Sequence, residues 1–219
     1  MINARSSGLV DNLGDFHFHI LGCGAIGSST AMQLARMGAA NFCLYDMDTV
    51  EDVNIGVSQY ILSDIKKPKV EALKGHLESI GVPNIYTYNE RFTEFYPQGI
   101  SDIAILGFDS MAARLQAVEA LCSNPTIKPL HLIDGRMGAE HYQRYIIDKP
   151  TVSKFKKTWY SYEEGSPEPC SAKATAYCAF MSGSFIANAV RKLATGQPYN
   201  KEFSFNFPNM LLEKSVMVM

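Results

Sequence analysis

No CxxC pair occurs in this chain, and its five cysteines (Cys23, Cys43, Cys122, Cys170 and Cys178) are scattered. A four-cysteine zinc site therefore has no ligand set. An odd, irregular set of thiols also fits a reducing cytosol better than a disulfide scaffold. No apolar run is long enough to span a bilayer, and the opening MINARSSGLVDNLGDF lacks the apolar centre of a signal peptide. The expectation is a soluble, cytoplasmic protein with no membrane partner. Long runs of Lys and Arg are missing too, and a net charge of -2 offers nucleic-acid phosphates no general attraction, so no nucleic-acid partner is expected. There is no internal repeat, no low-complexity segment and no Gly-Gly pair. Only 19% of residues are charged against 47% hydrophobic, so the 219 residues can bury one substantial core and do not read as a disordered chain.

What is present is an alternation of strand-like and helix-like segments. Residues 16–21 (FHFHIL) read as a short buried strand, followed at once by GCGAIG and then by apolar and small residues at helical spacing up to Gly38. Residues 41–45 (NFCLY) form a second strand that delivers Asp46, and a loop of mixed charge runs on to Ser63. Pro68 suits a first helical turn, Val70, Leu73, Leu77 and Ile80 share one apolar face, and Gly81 stops the helix. Strands are expected at 84–88, 102–106 and 130–133, with a helix capped by Asp109 or Ser110 and running to about Cys122. Alternation of this kind predicts an α/β fold, a Rossmann-like doubly wound and mostly parallel sheet. Further on, 149–170 read as a long exposed loop, 174–193 as a helix, and KEFSFNF as a strand with Phe203, Phe205 and Phe207 on one face.

Gly22, Gly24 and Gly27 form GxGxxG between a strand and a helix. Glycines there permit a tight turn and a close approach of ligand to backbone, while the helix N-terminus attracts phosphate. Asp46, at the end of the next strand, is placed to accept hydrogen bonds from ribose hydroxyls, which suits NAD and ATP equally.

Four segments in order, GCGAIG, LYDMDTVEDVN, SDIKKPKVEAL and ILGFDSMAAR, resemble the ThiF/MoeB/HesA family of ubiquitin-activating-enzyme-like adenylyltransferases, over roughly residues 16–140 and more loosely beyond. The resemblance implies one adenylation domain over 1–219: a nucleotide-binding core at 1–140, then a crossover loop, a helix and short antiparallel strands at 141–219. It implies ATP and magnesium as ligands. Asp46 maps to the ribose-binding acid, Asp48 to the second acid of DxD, Asn54 to the following loop, Lys69 to the ATP-contacting lysine, and Asp109 to the magnesium-associated carboxylate. The chemistry agrees, because attack of a carboxylate on the α-phosphate joins two anions and calls for a cation and a hard metal. Hydride transfer needs neither Lys69 nor Asp109. Each residue also has a plain reading: loop acid, turn former, solvated lysine, helix cap.

One departure stands out. The family often carries N-x-x-R-Q after DxD, with the arginine on ATP phosphates, whereas Asn54-Ile55-Gly56-Val57-Ser58-Gln59 has no arginine. Arg5, Arg114 and Arg136 are the candidate replacements, with Arg5 reaching a neighbouring subunit of a homodimer. Cys170, near a helix start and close to Lys173, is the candidate nucleophile, while Cys23, Cys43 and Cys178 read as small hydrophobes. His17 and His19 read as packed residues. Asp134-Gly135-Arg136 either lines the site or forms a turn. The expected substrate is the C-terminal glycine of a ubiquitin-like or sulfur-carrier protein. The alternatives are a small-molecule or tRNA-nucleoside carboxylate, a nucleotide-binding scaffold without catalysis and, last, an NAD-dependent oxidoreductase.

Overall fold

The computed structural model describes residues 4–5, 7–10, 12–161 and 174–218. Cys170 and Lys173 lie outside the described residues. The first half follows the alternation read from the sequence: β1 (His17–Leu21), α1 (Ala25–Arg36), β2 (Asn41–Tyr45), the short α2 (Asp52–Ile55), α3 (Lys69–Ser79), β3 (Asn84–Tyr88), β4 (Asp102–Leu106) and α4 (Met111–Leu121). Pro68 is the N-cap of α3, and Val70, Leu73 and Leu77 are buried beneath it. The loop expected up to Ser63 contains α2 and a single 3₁₀ turn at Leu62–Asp64.

The second half departs from expectation in two places. β5 (His131–Gly138) continues past Ile133 and turns directly into β6 (His141–Asp148), which pairs with it along its whole length. Asp134, Gly135 and Arg136 therefore sit inside a strand and make no turn. The stretch read as an exposed loop from 149 holds α5 (Val152–Lys156), whose Phe155 is fully buried. The described remainder is α6 (Ala176–Ala194), β7 (Tyr199–Asn200), β8 (Glu202–Asn206), β9 (Leu211–Lys214) and β10 (Met217–Val218).

The main sheet runs β3-β2-β1-β4-β5-β6-β8-β9. Its pairings are parallel from β3 to β5 and antiparallel from β5 to β9. β7 and β10 form a separate antiparallel pair. One core lies under α1, α3 and α6 on one face, built on Phe18, Ile20, Leu34, Leu73 and Ile186. The other lies under α4 and α5, built on Leu21, Leu106, Val118, Leu132 and Phe155. β4 is buried throughout and β1 from Phe18 onward, so neither strand shows the in–out alternation of a half-exposed one, and the polar His19 and Asp102 are buried against each other. The strand order reverses at β1, because β2 and β3 build outward on one side and β4 and β5 on the other. That reversal opens a crevice at the carboxyl ends of β1, β2 and β4.

Candidate functional site

A cleft of about 730 Å³ occupies this crevice. Its first wall is the glycine loop. Gly22 has φ +92, and its N–H donates to Tyr45 O at 2.8 Å. Gly27 packs against it so closely that a Cβ on Gly27 would lie 1.9 Å from Gly22 O. A Cβ on Gly24 would meet nothing within 4 Å, and Gly24 lines the cleft. The three glycines thus divide their duties: Gly22 and Gly27 make the turn, and Gly24 leaves room in front of it. No side chain caps the N-terminus of α1, which leaves its first N–H groups for a ligand.

Asp46 fixes this loop. Its Oδ2 accepts the Cys23 N–H at 2.7 Å and its Oδ1 the Asp48 N–H at 2.9 Å. Burial raises the Asp46 pKa above the ordinary carboxylate value, and the charge of Lys69 partly offsets the rise. Lys69 Nζ donates to Asp48 Oδ2 at 2.8 Å. Burial alone would lower the lysine pKa, but the Asp48 hydrogen bond and the charges of Asp46 and Asp48 raise it overall, so a cation is held at the cleft wall. Tyr60 ties the parts together, its hydroxyl 2.5 Å from Cys23 O and 3.2 Å from Lys69 O.

Asn54 lines the cleft, but its Oδ1 accepts the Glu51 N–H at 2.9 Å and caps α2. Asp109 stands exposed at the mouth. Ser110 takes the cap of α4, its Oγ accepting the Ala113 N–H at 3.2 Å, so the carboxylate of Asp109 is not used there. Among the described residues no group of three or more His, Cys, Asp and Glu could hold a metal by itself.

The floor holds two of the three candidate arginines. Asp134, fully buried, accepts from Arg114 through Oδ1 and from Arg136 Nε through Oδ2, the latter at 2.8 Å. Arg114 also donates to Phe108 O, and Arg136 donates to Thr158 O at 2.6 Å and stacks on Tyr145 at 4.5 Å. Two guanidinium groups share one carboxylate, which leaves a net positive floor, and both arginines line the cleft. Arg5 is exposed and does not line it. Gly107 stands within the ILGFDSMAAR segment without having been singled out, whereas Tyr60 and Tyr160 belong to none of the four segments and join the site through tertiary packing. Cys23, Cys43 and Cys178 are buried, and His19 is buried with Nε2 3.2 Å from Asp102, as packed residues.

Fold and cleft define a class: a doubly wound α/β domain with a glycine loop at the switch point of its sheet. The chain belongs to the ThiF family, whose sequence profile matches residues 2–217. It is 30% identical over 159 residues to the NEDD8-activating enzyme E1 catalytic subunit of Arabidopsis thaliana, an alignment covering 64% of this chain and 34% of that protein. It is 29% identical over 108 residues to the tRNA threonylcarbamoyladenosine dehydratase of Bacillus subtilis (strain 168), covering 46% of this chain and 42% of that protein. The chain therefore spans well under half the length of these two relatives. Among solved structures, PaaA superimposes with a TM-score of 0.71 at 21% identity over 94% of this chain and 66% of that one. E. coli MccB solved with ATP gives 0.74 at 17% identity over 99% and 68%. At those identities the structures share the fold. Among the described residues no helix is long and apolar enough to cross a membrane.

Proposed function

We propose that this chain is a single adenylation domain that activates a carboxylate as an acyl-adenylate, using ATP and magnesium. The observation that carries the reading is one cleft holding the open Gly24, the Asp46–Lys69–Asp48 cluster and the carboxylate of Asp109, which has no partner among the described residues. In the proposed reaction a substrate carboxylate oxygen bonds to the α-phosphorus, the bond to the bridging oxygen breaks, and pyrophosphate leaves. Asp46 would receive the ribose, Gly24 and the first turn of α1 the phosphates, and Lys69 the charge developing on them. Magnesium, held through Asp109, would neutralise phosphate oxygens. Arg114 and Arg136 stand in for the loop arginine that residues 54–59 lack.

As substrate we propose the C-terminal glycine of a ubiquitin-like or sulfur-carrier protein, with transfer to Cys170 as a following step and a homodimer as the working form. Similarity to a NEDD8-activating enzyme, and to an MccB solved with MccA, supports a protein or peptide substrate. Similarity to the tRNA threonylcarbamoyladenosine dehydratase favours the second reading, a nucleoside carboxylate.

Exchange of labelled pyrophosphate into ATP, with candidate carriers and with modified tRNA, tests the reading. Lys69→Ala and Asp109→Ala are each expected to abolish exchange in a folded protein. No exchange with any acceptor, together with no ATP binding by calorimetry, would overturn adenylation. Unchanged exchange in Asp109→Ala would remove the magnesium assignment alone.

A further inference from the structure

A second cavity, of about 420 Å³, lies between α6 and the strands β6, β8 and β9, and it shares no lining residue with the cleft. The register of the sheet builds its floor: Arg144 of β6 pairs with Phe203 of β8, which pairs with Lys214 of β9. Above them α6 presents Ser184, Asn188 and Lys192, spaced four apart and so on one face. Three cations line this cavity, and among the described residues no acid does. Glu202 and Glu213, each next in sequence to a lining residue, alternate to the opposite faces of β8 and β9, Glu213 accepting from Ser204 Oγ at 3.4 Å, and Asp148, which accepts from the Tyr199 hydroxyl at 2.7 Å, is paired with His131 and Lys201.

Arg144 is the telling residue. It is 5% exposed, its Nη2 donates to Asn200 O at 2.7 Å, and its guanidinium carbon lies 5.5 Å from the Phe203 ring. Its Nε is buried with no hydrogen-bond partner. Among the described residues no carboxylate pairs with it. A buried guanidinium normally has an anion beside it, because desolvating the charge is costly. Arg114 and Arg136 obey that rule through Asp134, and Arg144 does not.

We propose that this cavity binds an organic phosphate. The phosphoryl group would meet Arg144, Lys192 and Lys214, and its apolar body would lie on Phe203, Leu212 and Met217. Three cations match a multiply charged phosphate better than a single carboxylate. The volume falls in the range of small-molecule sites and exceeds what a free phosphate needs, and five of the eleven lining residues are apolar or aromatic.

Phenyl phosphate is a suitable probe, titrated into the full-length protein at constant ionic strength and followed by amide nuclear magnetic resonance. Saturable shifts are expected at Asn188, Lys192, Asn200 and Lys214. The double variant Lys192→Gln/Lys214→Gln, at partly exposed sites that leave the fold intact, is expected to weaken them by roughly tenfold or more. Shifts at Gly22, Gly24 and Lys69, which report the cleft, are expected to stay as in the parent, so failure here and failure of the adenylation reading are separable. The proposal is overturned if the cavity amides do not saturate, if the double variant binds as well as the parent, or if phenol or acetate binds as tightly as phenyl phosphate.

Discussion

Replacing Gly27 by alanine puts a methyl carbon 1.9 Å from Gly22 O, 3.0 Å from Gly22 C and 3.1 Å from Ile20 Cγ2. The nearest contact is with backbone, so no side chain can rotate to relieve it. Nor can Gly22 retreat. Its N–H is bonded to Tyr45 O at 2.8 Å, and on its other side Gly107 is so close that a Cβ on Gly107 would be 2.9 Å from Gly22 O. Either the loop leaves the end of β1 or α1 shifts outward. Overpacking of this kind costs about 3 kcal/mol, the upper part of its usual range. For a domain of this size that corresponds to a fall of about 6–12 °C in melting temperature. Gly24→Ala is the matched control, since Gly24 has φ −72 and open space around its Cβ position. It is expected to leave stability within about 0.5 kcal/mol of the parent, while reducing ATP binding because the new methyl group stands where a ligand would approach. Thermal unfolding by circular dichroism with calorimetric ATP titration separates the two effects. If Gly27→Ala melts with the parent, or Gly24→Ala binds ATP as the parent does, the division of roles between these glycines is wrong.

Asp134→Asn leaves two buried guanidinium groups without their shared counter-charge, and urea denaturation is expected to register a loss of about 3–5 kcal/mol; a loss below about 1 kcal/mol would mean that water reaches Arg114 and Arg136. Asp64 is partly desolvated, but hydrogen bonds from Ile61 N–H, His76 and Lys67 more than offset this and hold its pKa below the ordinary carboxylate value. A depressed carboxylate pKa stabilises the fold above the unfolded value near pH 4 and loses that effect as pH falls through the folded value. Asp64→Asn is therefore expected to flatten part of the acid limb of a stability–pH curve below about pH 4, and an unchanged limb would refute the assignment. Burial pushes the Cys43 thiol up to about 12 and Cys178 to about 11, and raises Cys23 well above the ordinary value. Brief iodoacetamide treatment of the native protein at neutral pH should leave these three unmodified by peptide mass spectrometry, and labelling of any of them would contradict the packing described.

The parallel half of the sheet was legible because β1 and β4 are buried on both faces and α3 carries its apolar stripe between a proline and a glycine. Binary pattern and backbone chemistry act within a few residues there, so local sequence carries the information. Pairing in the antiparallel half was not legible, for a physical reason that Asp134, Arg136 and Arg144 illustrate. Charged residues break the apolar period of β5 and β6, yet all three are buried. Asp134 can be buried because it meets Arg114, twenty positions away on α4, and Arg136 because it meets Thr158 beyond α5. No local pattern encodes those meetings.

The same line divides the site. The sequence by itself determined that a glycine loop precedes α1 and that Asp46, Lys69 and Asp109 stand at element ends, because turn geometry and helix capping are properties of adjacent residues. Tertiary structure alone decided that Lys69 reaches Asp48, that Ser110 releases Asp109 from capping, and that Arg114 and Arg136 form the floor of the cleft. Charge acts through space, and the partner that makes a buried charge tolerable is chosen by the fold.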